Sequence, residues 1–158
     1  MPGCQTAVMG HDVGNLAKGS CLCGAIQYSV HGELRPVWQC HCVRCQKSTG
    51  NFMAATAALA ADIVVEQFDA LRWFQPDDDP NVAYGFCRRC GSSLFWRVID
   101  QPAQADQAAQ ADQPEQWSIC AGTLDDAPSL VTESVWFSDQ AARHNDLDPN
   151  VERRLSTD

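Results

Sequence analysis

Seven of the nine cysteines in this chain of 158 residues lie in three short clusters. In chain order the clusters read Cys21-Leu22-Cys23, Cys40-His41-Cys42-Val43-Arg44-Cys45 and Cys87-Arg88-Arg89-Cys90. A structural zinc ion is bound by four protein ligands, whereas a catalytic zinc ion typically has three and keeps one position open. Seven thiolates are the number needed for one site with four ligands and one site with three. The spacing therefore predicts two zinc ions per chain, one in a closed site and one in an open site.

Two other uses of cysteine are less favoured. Disulfide-rich secreted domains are usually shorter, contain an even number of cysteines and follow a signal peptide. Here the count is odd, and residues 1–18 show no basic start followed by an apolar run. Iron–sulfur binding would be typical of longer, ferredoxin-like spacings. We therefore favour zinc and expect a cytoplasmic protein.

The outer two clusters are predicted to form the closed site, with the ligands Cys21, Cys23, Cys87 and Cys90. A glycine follows each of these pairs, and glycine tolerates the positive φ that lets a backbone curl around a sulfur. No glycine follows a cysteine of the middle cluster, so we predict that it forms the open site, with the ligands Cys40, Cys42 and Cys45. His41 lies between two of these ligands, and we expect its ring to point away from the metal.

Four other residues near or outside the clusters need an interpretation. Arg44 and Lys47 lie beside the predicted open site. They could offset the negative charge of the thiolates or bind an anionic substrate, and both interpretations stay open. Cys4 lies in a stretch without periodicity and Cys120 in an apolar, strand-like run. We interpret both as bystanders, with Cys120 as a small core residue.

Charge and hydropathy exclude two classes of partner. The net charge is −9, which argues against sequence-independent binding to nucleic acid, because that needs a cationic surface. No apolar run approaches the ~20 residues that cross a bilayer, so no membrane partner is expected. The sequence leaves the oligomeric state undetermined.

Short β-rich segments dominate the chain and predict an all-β domain of packed or folded sheets. The predicted strands cover residues 25–30, 37–41, 63–66, 71–74, 82–86, 93–99, 117–121 and 131–137. A short helix is predicted over residues 139–145, capped by Ser138. Residues 101–116 contain AQADQ twice and lack aromatic and β-branched side chains, which predicts an expanded polar hairpin loop. Residues 77–80 are interpreted as a solvated acidic turn.

Three motifs give the chain a family resemblance. They are GSCLCGAIQY at residues 19–28, CHCVRCQKSTG at 40–50 and FCRRCGSSLFW at 86–96, and AGTLDD at 121–126 is a weaker fourth. In this order the motifs resemble the glutathione-dependent formaldehyde-activating family, which includes centromere protein V. The resemblance implies a β-tent fold of antiparallel sheets over residues 19–138, flanked by an extension at 1–18 and a tail at 139–158.

The resemblance also implies metal sites and an activity. It implies a structural zinc ion on the outer four cysteines and a catalytic zinc ion on Cys40, Cys42 and Cys45. The implied activity is that of a carbon–sulfur lyase acting on glutathione and formaldehyde. A thiol bound to such an open zinc ion loses its proton more easily and can add to an aldehyde. The alternative, kept open by centromere protein V, is a zinc-stabilised binding module without catalysis.

The chain departs from the family pattern at three places. Family members often have arginine after the last cysteine of the middle motif, and here that residue is Gln46. Where members often have a His-Ile-aromatic run, this chain has Ser134-Val135-Trp136. An Asp-Gly-Leu-Pro stretch of the family is replaced by Asp146-Leu147-Asp148-Pro149. These departures leave the cysteine ligands in place.

Overall fold

Strands make up most of the regular structure in the computed structural model, which describes residues 17–99, 114–125 and 129–156. The strands are β1 (Ala17–Ser20), β2 (Gln27–Val30), β3 (Val37–Cys40), β4 (Met53–Leu59), β5 (Ile63–Val65), β6 (Leu71–Phe74), β7 (Val82–Cys87), β8 (Ser93–Val98), β9 (Gln116–Cys120), β10 (Thr132–Trp136) and β11 (Glu152–Arg153). One α-helix, α1 (Val43–Thr49), occurs in the described part of the chain. Four 3₁₀ turns also occur there: Ala60–Asp62, Phe68–Ala70, Ala121–Thr123 and Ser138–Gln140. The prediction of an all-β fold is confirmed.

The strands form two sheets. The small sheet has the antiparallel order β1-β2-β5. The large sheet has the order β11-β10-β3-β4-β9-β8-β7-β6, in which β10 runs parallel to both β3 and β11 and the other neighbours are antiparallel. No helix among the described residues is long and apolar enough to cross a membrane.

The two faces of the large sheet have different environments. On the inner face, Phe95 and Ile119 are cross-strand partners and both are buried. Phe95 meets Tyr28 of the small sheet edge to face, with ring centroids 5.0 Å apart, so the main core lies between the two sheets. Because side chains alternate along a strand, Tyr84 and Trp96 point to the opposite, outer face. That outer face carries the middle cysteine cluster.

The predicted helix over residues 139–145 is wrong. The chain makes only the 3₁₀ turn Ser138–Gln140, and Ala141 is already extended. The side chains that would have capped a helix form hydrogen bonds with the C-terminal segment instead. The Ser138 hydroxyl donates to the carbonyl of Arg154 at 3.2 Å, and the Asp139 carboxylate accepts from Ser156. A tertiary contact therefore replaces the expected cap.

The C-terminal segment adds an edge to the large sheet. Strand β11 pairs with β10, and the Arg154 guanidinium lies over the Trp136 ring at 4.5 Å. The backbone N–H and the hydroxyl of Ser156 donate to the two Asp139 carboxylate oxygens at 2.8 and 2.7 Å. These contacts hold the segment against the end of β10.

We expect this attachment to weaken in acid. The Ser156 hydrogen bonds lower the pKa of Asp139 below its ordinary value. Their contribution to stability is therefore complete above the ordinary aspartate pKa of about 4 and is lost as the pH falls through the lowered pKa. Hydrogen-exchange protection of residues 152–156, corrected for intrinsic rates, should fall over that range. Asp139→Asn should lose the same protection at neutral pH, and Asp146→Asn should keep it. Unchanged protection in Asp139→Asn would contradict the prediction.

Two sequence predictions fall wholly or partly outside the described residues. The loop predicted at 101–116 lies outside them over residues 101–113. Its flanking strands β8 and β9 do pair antiparallel, as a hairpin requires. Cys4 also lies outside the described residues.

Candidate metal centres

The structure brings the outer two cysteine clusters together at one point. The Sγ atoms of Cys21, Cys23, Cys87 and Cys90 all lie within 4.8 Å of one another. The Cys21–Cys23 and Cys23–Cys87 sulfur pairs are 3.6 and 3.8 Å apart. A tetrahedral zinc ion with Zn–S bonds of about 2.3 Å places its sulfurs about 3.8 Å apart. The four thiols therefore fit a tetrathiolate zinc site.

This four-cysteine cluster is built from two similar turns. In each, a glycine with positive φ, Gly24 at 70° or Gly91 at 77°, closes the turn. The Gly24 N–H donates to the Cys21 carbonyl at 2.9 Å, and the Gly91 N–H donates to that of Cys87 at 2.8 Å. Two further amides donate to cluster sulfurs: Ile26 N to Cys21 Sγ at 3.3 Å and Arg89 N to Cys87 Sγ at 3.4 Å. The glycines thus have the conformation that the sequence predicted for them.

The four-cysteine cluster joins distant parts of the chain. One turn connects β1 and β2 of the small sheet, and the other connects β7 and β8 of the large sheet. Cys23 and Cys87 are 64 residues apart in sequence. A metal bound here would hold the two sheets together at this end.

The middle cluster forms a separate group of three thiols. The Sγ atoms of Cys40, Cys42 and Cys45 lie within 4.8 Å of one another, and no other cysteine, histidine or carboxylate of the described residues joins them. Cys40 ends β3, and Cys42 is the N-cap of α1, where its sulfur accepts from the Cys45 N–H at 3.4 Å. This three-cysteine cluster has the donor set of a zinc site with one position left for an exogenous ligand.

The three thiols share their protons unequally. Hydrogen bonds from Cys40 and Cys45 lower the pKa of Cys42 well below that of a free thiol. The hydrogen bond with Cys42 raises the pKa of Cys40, and hydrogen bonds with Cys40 and Cys42 raise that of Cys45. One thiolate is therefore favoured at neutral pH, and binding a divalent metal would expel the protons of the other two thiols.

His41 takes no part in either group of ligands. Its side chain is fully buried, and its ring stacks on Phe52 with centroids 4.8 Å apart. Neither ring nitrogen has a hydrogen-bond partner among the described residues. Burial lowers the pKa of His41, so the ring is neutral. The side chain thus anchors the ligand turn in the interior, between Cys40 and Cys42.

Comparison with known proteins agrees with these two groups of thiols. The family model described as glutathione-dependent formaldehyde-activating enzyme matches residues 16–139, which include all seven clustered cysteines. The chain belongs to this family.

Comparison with solved structures supports the fold. A crystal structure of a Rhodobacter sphaeroides protein superposes with a TM-score of 0.51 at 23% sequence identity, covering 71% of this chain and 91% of that one. This likeness concerns the fold alone. No curated protein matches the chain.

Gln46, where the formaldehyde-activating family often has arginine, ties the three-cysteine cluster to the end of β10. Its side-chain amide donates to the backbone carbonyl of His41 and, at 2.9 Å, to that of Gln140. Gln140 in turn accepts the Val43 N–H on its side-chain oxygen at 3.3 Å. The Gln46 amide therefore links the three-cysteine cluster to the turn that contains Gln140 through neutral groups. Gln140 lies 94 residues away in sequence, and no local motif marked it.

Aromatic and apolar side chains surround the three-cysteine cluster on the outer face of the large sheet. They are Met53, Ala55, Tyr84, Trp96 and Cys120. Burial raises the pKa of Cys120 to about 12, so it remains a thiol at neutral pH. It lies beside the ligands without joining them. Sequence analysis did not single out Tyr84, and it quoted Trp96 only as the end of the third motif, because the pairing of β7 with β8 brings both to the cluster.

The two cations near this cluster have different environments. The Arg44 guanidinium forms ion pairs with Asp79 at 2.7 Å and Asp78 at 3.0 Å. The acidic turn predicted to be solvated therefore has a basic partner. Lys47 is exposed, and within the described ranges it has neither an ion pair nor a hydrogen bond. Of the two, Lys47 is the cation whose charge is available to a ligand.

A cavity of about 480 Å³ is lined by Cys90 of the four-cysteine cluster and by Met53 and Cys120, which pack with Cys45. Its walls are the end of α1, the Cys90 turn and the 3₁₀ turn Ala121–Thr123. Ser48, Thr49, Ser93 and Thr123 contribute hydroxyl groups to its lining. The cavity offers neutral polar groups near the two clusters.

Proposed function

We propose that this member of the formaldehyde-activating family is a zinc-dependent carbon–sulfur lyase that makes and breaks the adduct of a thiol with an aldehyde. Glutathione and formaldehyde are the proposed pair. The observation that carries the proposal is the cluster of Cys40, Cys42 and Cys45, which has no fourth protein ligand among the described residues. A binding module would need only the closed, four-cysteine cluster. We also propose a cytoplasmic location, because thiols that serve as metal ligands stay reduced there.

The proposed reaction has a simple balance. The thiol loses its proton, its sulfur forms a bond to the carbonyl carbon, and the carbonyl oxygen gains a proton. Nothing is oxidised or reduced, and the reverse reaction breaks the carbon–sulfur bond. Zinc held by the three cysteines would lower the pKa of the bound thiol.

The chain's own residues would prepare this site in three ways. The N-cap position fixes the Cys42 sulfur beside the start of α1. The buried His41 ring and the Gln46 crosslink hold the ligand turn against the body of the protein. The four-cysteine cluster, proposed as a structural zinc site, has its coordination filled and would take no part in the chemistry.

The proposal is tested by measuring how fast formaldehyde exchanges between its free hydrate and its glutathione adduct. Magnetisation transfer between ¹³C-labelled formaldehyde hydrate and its glutathione adduct measures the rate of adduct formation and cleavage. The protein loaded with two zinc equivalents should raise this rate above that of buffer and of free zinc at the same concentration. If the exchange rate equals the uncatalysed rate while glutathione still binds, the protein is a non-catalytic binding module.

Lys47 is proposed to bind a carboxylate of glutathione. Arg44 was predicted with it, but an anionic substrate would have to compete with Asp78 and Asp79 for that guanidinium. Lys47→Ala should raise KM for glutathione by up to about fivefold, because an exposed charge contributes roughly 1 kcal/mol or less. The KM for mercaptoethanol, a neutral thiol, should stay within twofold.

The chain's other lysine, Lys18, provides a matched control. Lys18→Ala should leave both KM values unchanged. If Lys47→Ala changes the KM for glutathione and the KM for mercaptoethanol equally and lowers the zinc content, then Lys47 only offsets thiolate charge.

A further inference from the structure

Tyr84 lies on the outer face of the large sheet, beside the three-cysteine cluster. It is on β7 directly opposite Trp96 of β8, and both side chains pack against the group that contains Cys45. Tyr84 is half-buried, so part of its ring remains accessible from solvent. It thus places a phenol hydroxyl at the edge of the proposed reaction site.

The Tyr84 hydroxyl is in a state to donate a hydrogen bond. A tyrosine phenol ordinarily keeps its proton at neutral pH, so the Tyr84 hydroxyl is a hydrogen-bond donor. Trp96 interacts with the phenol oxygen through its indole N–H, which can only donate. Within residues 17–99, 114–125 and 129–156, the Tyr84 O–H has no acceptor of its own.

The other polar groups around the cluster are less suited to this role. Arg44 is paired with Asp78 and Asp79. The indole N–H of Trp96 interacts with the Tyr84 side chain, and the thiol of Cys120 is a weak donor. Tyr84 is therefore the neutral donor that a small carbonyl compound would meet beside the three thiols.

We infer that the Tyr84 hydroxyl donates a hydrogen bond to the carbonyl oxygen of the aldehyde and stabilises the negative charge that develops there. This inference rests on the proposed function. As the sulfur bonds to the carbonyl carbon, the π electron pair of the carbonyl moves to the oxygen, which then takes a proton from water. A donor already in place lowers the free energy of that charge without any reorganisation of solvent. In the reverse direction, the same hydrogen bond holds the hydroxyl of the adduct.

Binding of two matched S-substituted glutathiones, a thioester and a thioether, tests the inference without turnover. S-acetylglutathione carries an oxygen on the carbon attached to sulfur, and S-isopropylglutathione carries a methyl group in its place. The zinc-loaded wild type should bind the acetyl compound about fivefold more tightly, the range expected for one neutral hydrogen bond. Tyr84→Phe should bind both compounds equally, with an unchanged affinity for the isopropyl compound.

The chain's second tyrosine provides the control. Tyr28 hydrogen-bonds to Thr123 at 2.7 Å on the other side of the large sheet. Tyr28→Phe makes the same chemical change and should keep the wild-type preference. Zinc content and melting temperature, measured for both variants, show that the sites are intact.

Turnover provides a second measurement. Tyr84→Phe should lower kcat for adduct exchange by about 100-fold, the loss typical when one donor to a developing oxyanion is removed. The KM for glutathione should not change, because the hydrogen bond is made to the aldehyde oxygen.

If Tyr84→Phe keeps the preference for S-acetylglutathione, the inferred role of Tyr84 is overturned, but the proposed function is not. Failure of the wild type to bind either compound would also overturn the inferred hydrogen bond, whereas failure to bind glutathione itself would overturn the proposed thiol site.

Discussion

Cys90→Ser is expected to abolish folding of the protein. The substitution removes one of the four thiols proposed to bind a structural zinc ion, which lie where the small sheet meets the turn between β7 and β8. Binding of zinc to a structural tetrathiolate site contributes on the order of 10 kcal/mol to folding. That amount is comparable with the whole stability of a domain, roughly 5–15 kcal/mol. The soluble yield should therefore collapse, and the same result is expected for Cys21→Ser.

The measurement is the yield of soluble protein, its melting temperature and its zinc content. Cys120→Ser provides a matched control, because Cys120 is also partly buried but belongs to neither group of ligands. That variant should fold and keep two zinc equivalents. An unchanged melting temperature with full zinc content in Cys90→Ser would show that the four-cysteine cluster is not a structural metal site.

Cys42→Ser should give a folded protein without activity. Serine is a preferred N-cap residue, so its hydroxyl can accept the Cys45 N–H that the Cys42 sulfur accepts, and α1 should persist. Loss of one of three thiolates should release the metal of the open site while the four-cysteine cluster keeps its own. We expect one zinc equivalent per chain, a melting temperature close to that of the wild type, and exchange at the uncatalysed rate.

A chelator titration of the wild type gives an independent check. The metal held by three protein ligands should leave first, with loss of exchange activity and no unfolding. The metal of the four-cysteine cluster should follow at higher chelator concentration, together with unfolding. Simultaneous loss of both metals would contradict two distinct sites.

The two groups of neighbouring thiols could be predicted from sequence because the spacing of cysteines is a local feature. Short spacings place two or three thiols on one turn, and glycine after a pair permits the turn that Gly24 and Gly91 adopt. The β-rich segments also predicted most strands, since β6 has the predicted limits and β7 and β8 each differ from theirs by one residue at one end. These signals act within a few residues of chain.

Strand β4 was missed for a different reason. Residues 53–59 are rich in alanine, which has a low propensity for strands. The segment is nevertheless a strand, because it lies between β3 and β9 and most of its side chains are buried. Small side chains fit a position covered on both faces, so packing overrides propensity there.

Helix α1 was also missed. Its seven residues have no apolar periodicity, and its cap is a cysteine, which is not among the usual N-cap residues. Gly50, with a φ of 82°, was the one local signal of its end.

The sequence by itself determined which cysteines can bind metal, how they divide into four and three, and that the domain is built from strands. Only the tertiary structure decided what surrounds the open cluster. Tyr84 and Gln140 reach it through strand pairing and the return of the chain, from positions that no short motif connects to the cysteines. Trp96 ends the third cysteine motif, but only the pairing of β7 with β8 places it beside Tyr84 at the open cluster. The same packing pairs the Asp139 carboxylate with Ser156, so Asp139 does not begin the predicted helix. Ligand identity depends on side-chain chemistry, but the environment of a ligand depends on which distant segments pack beside it.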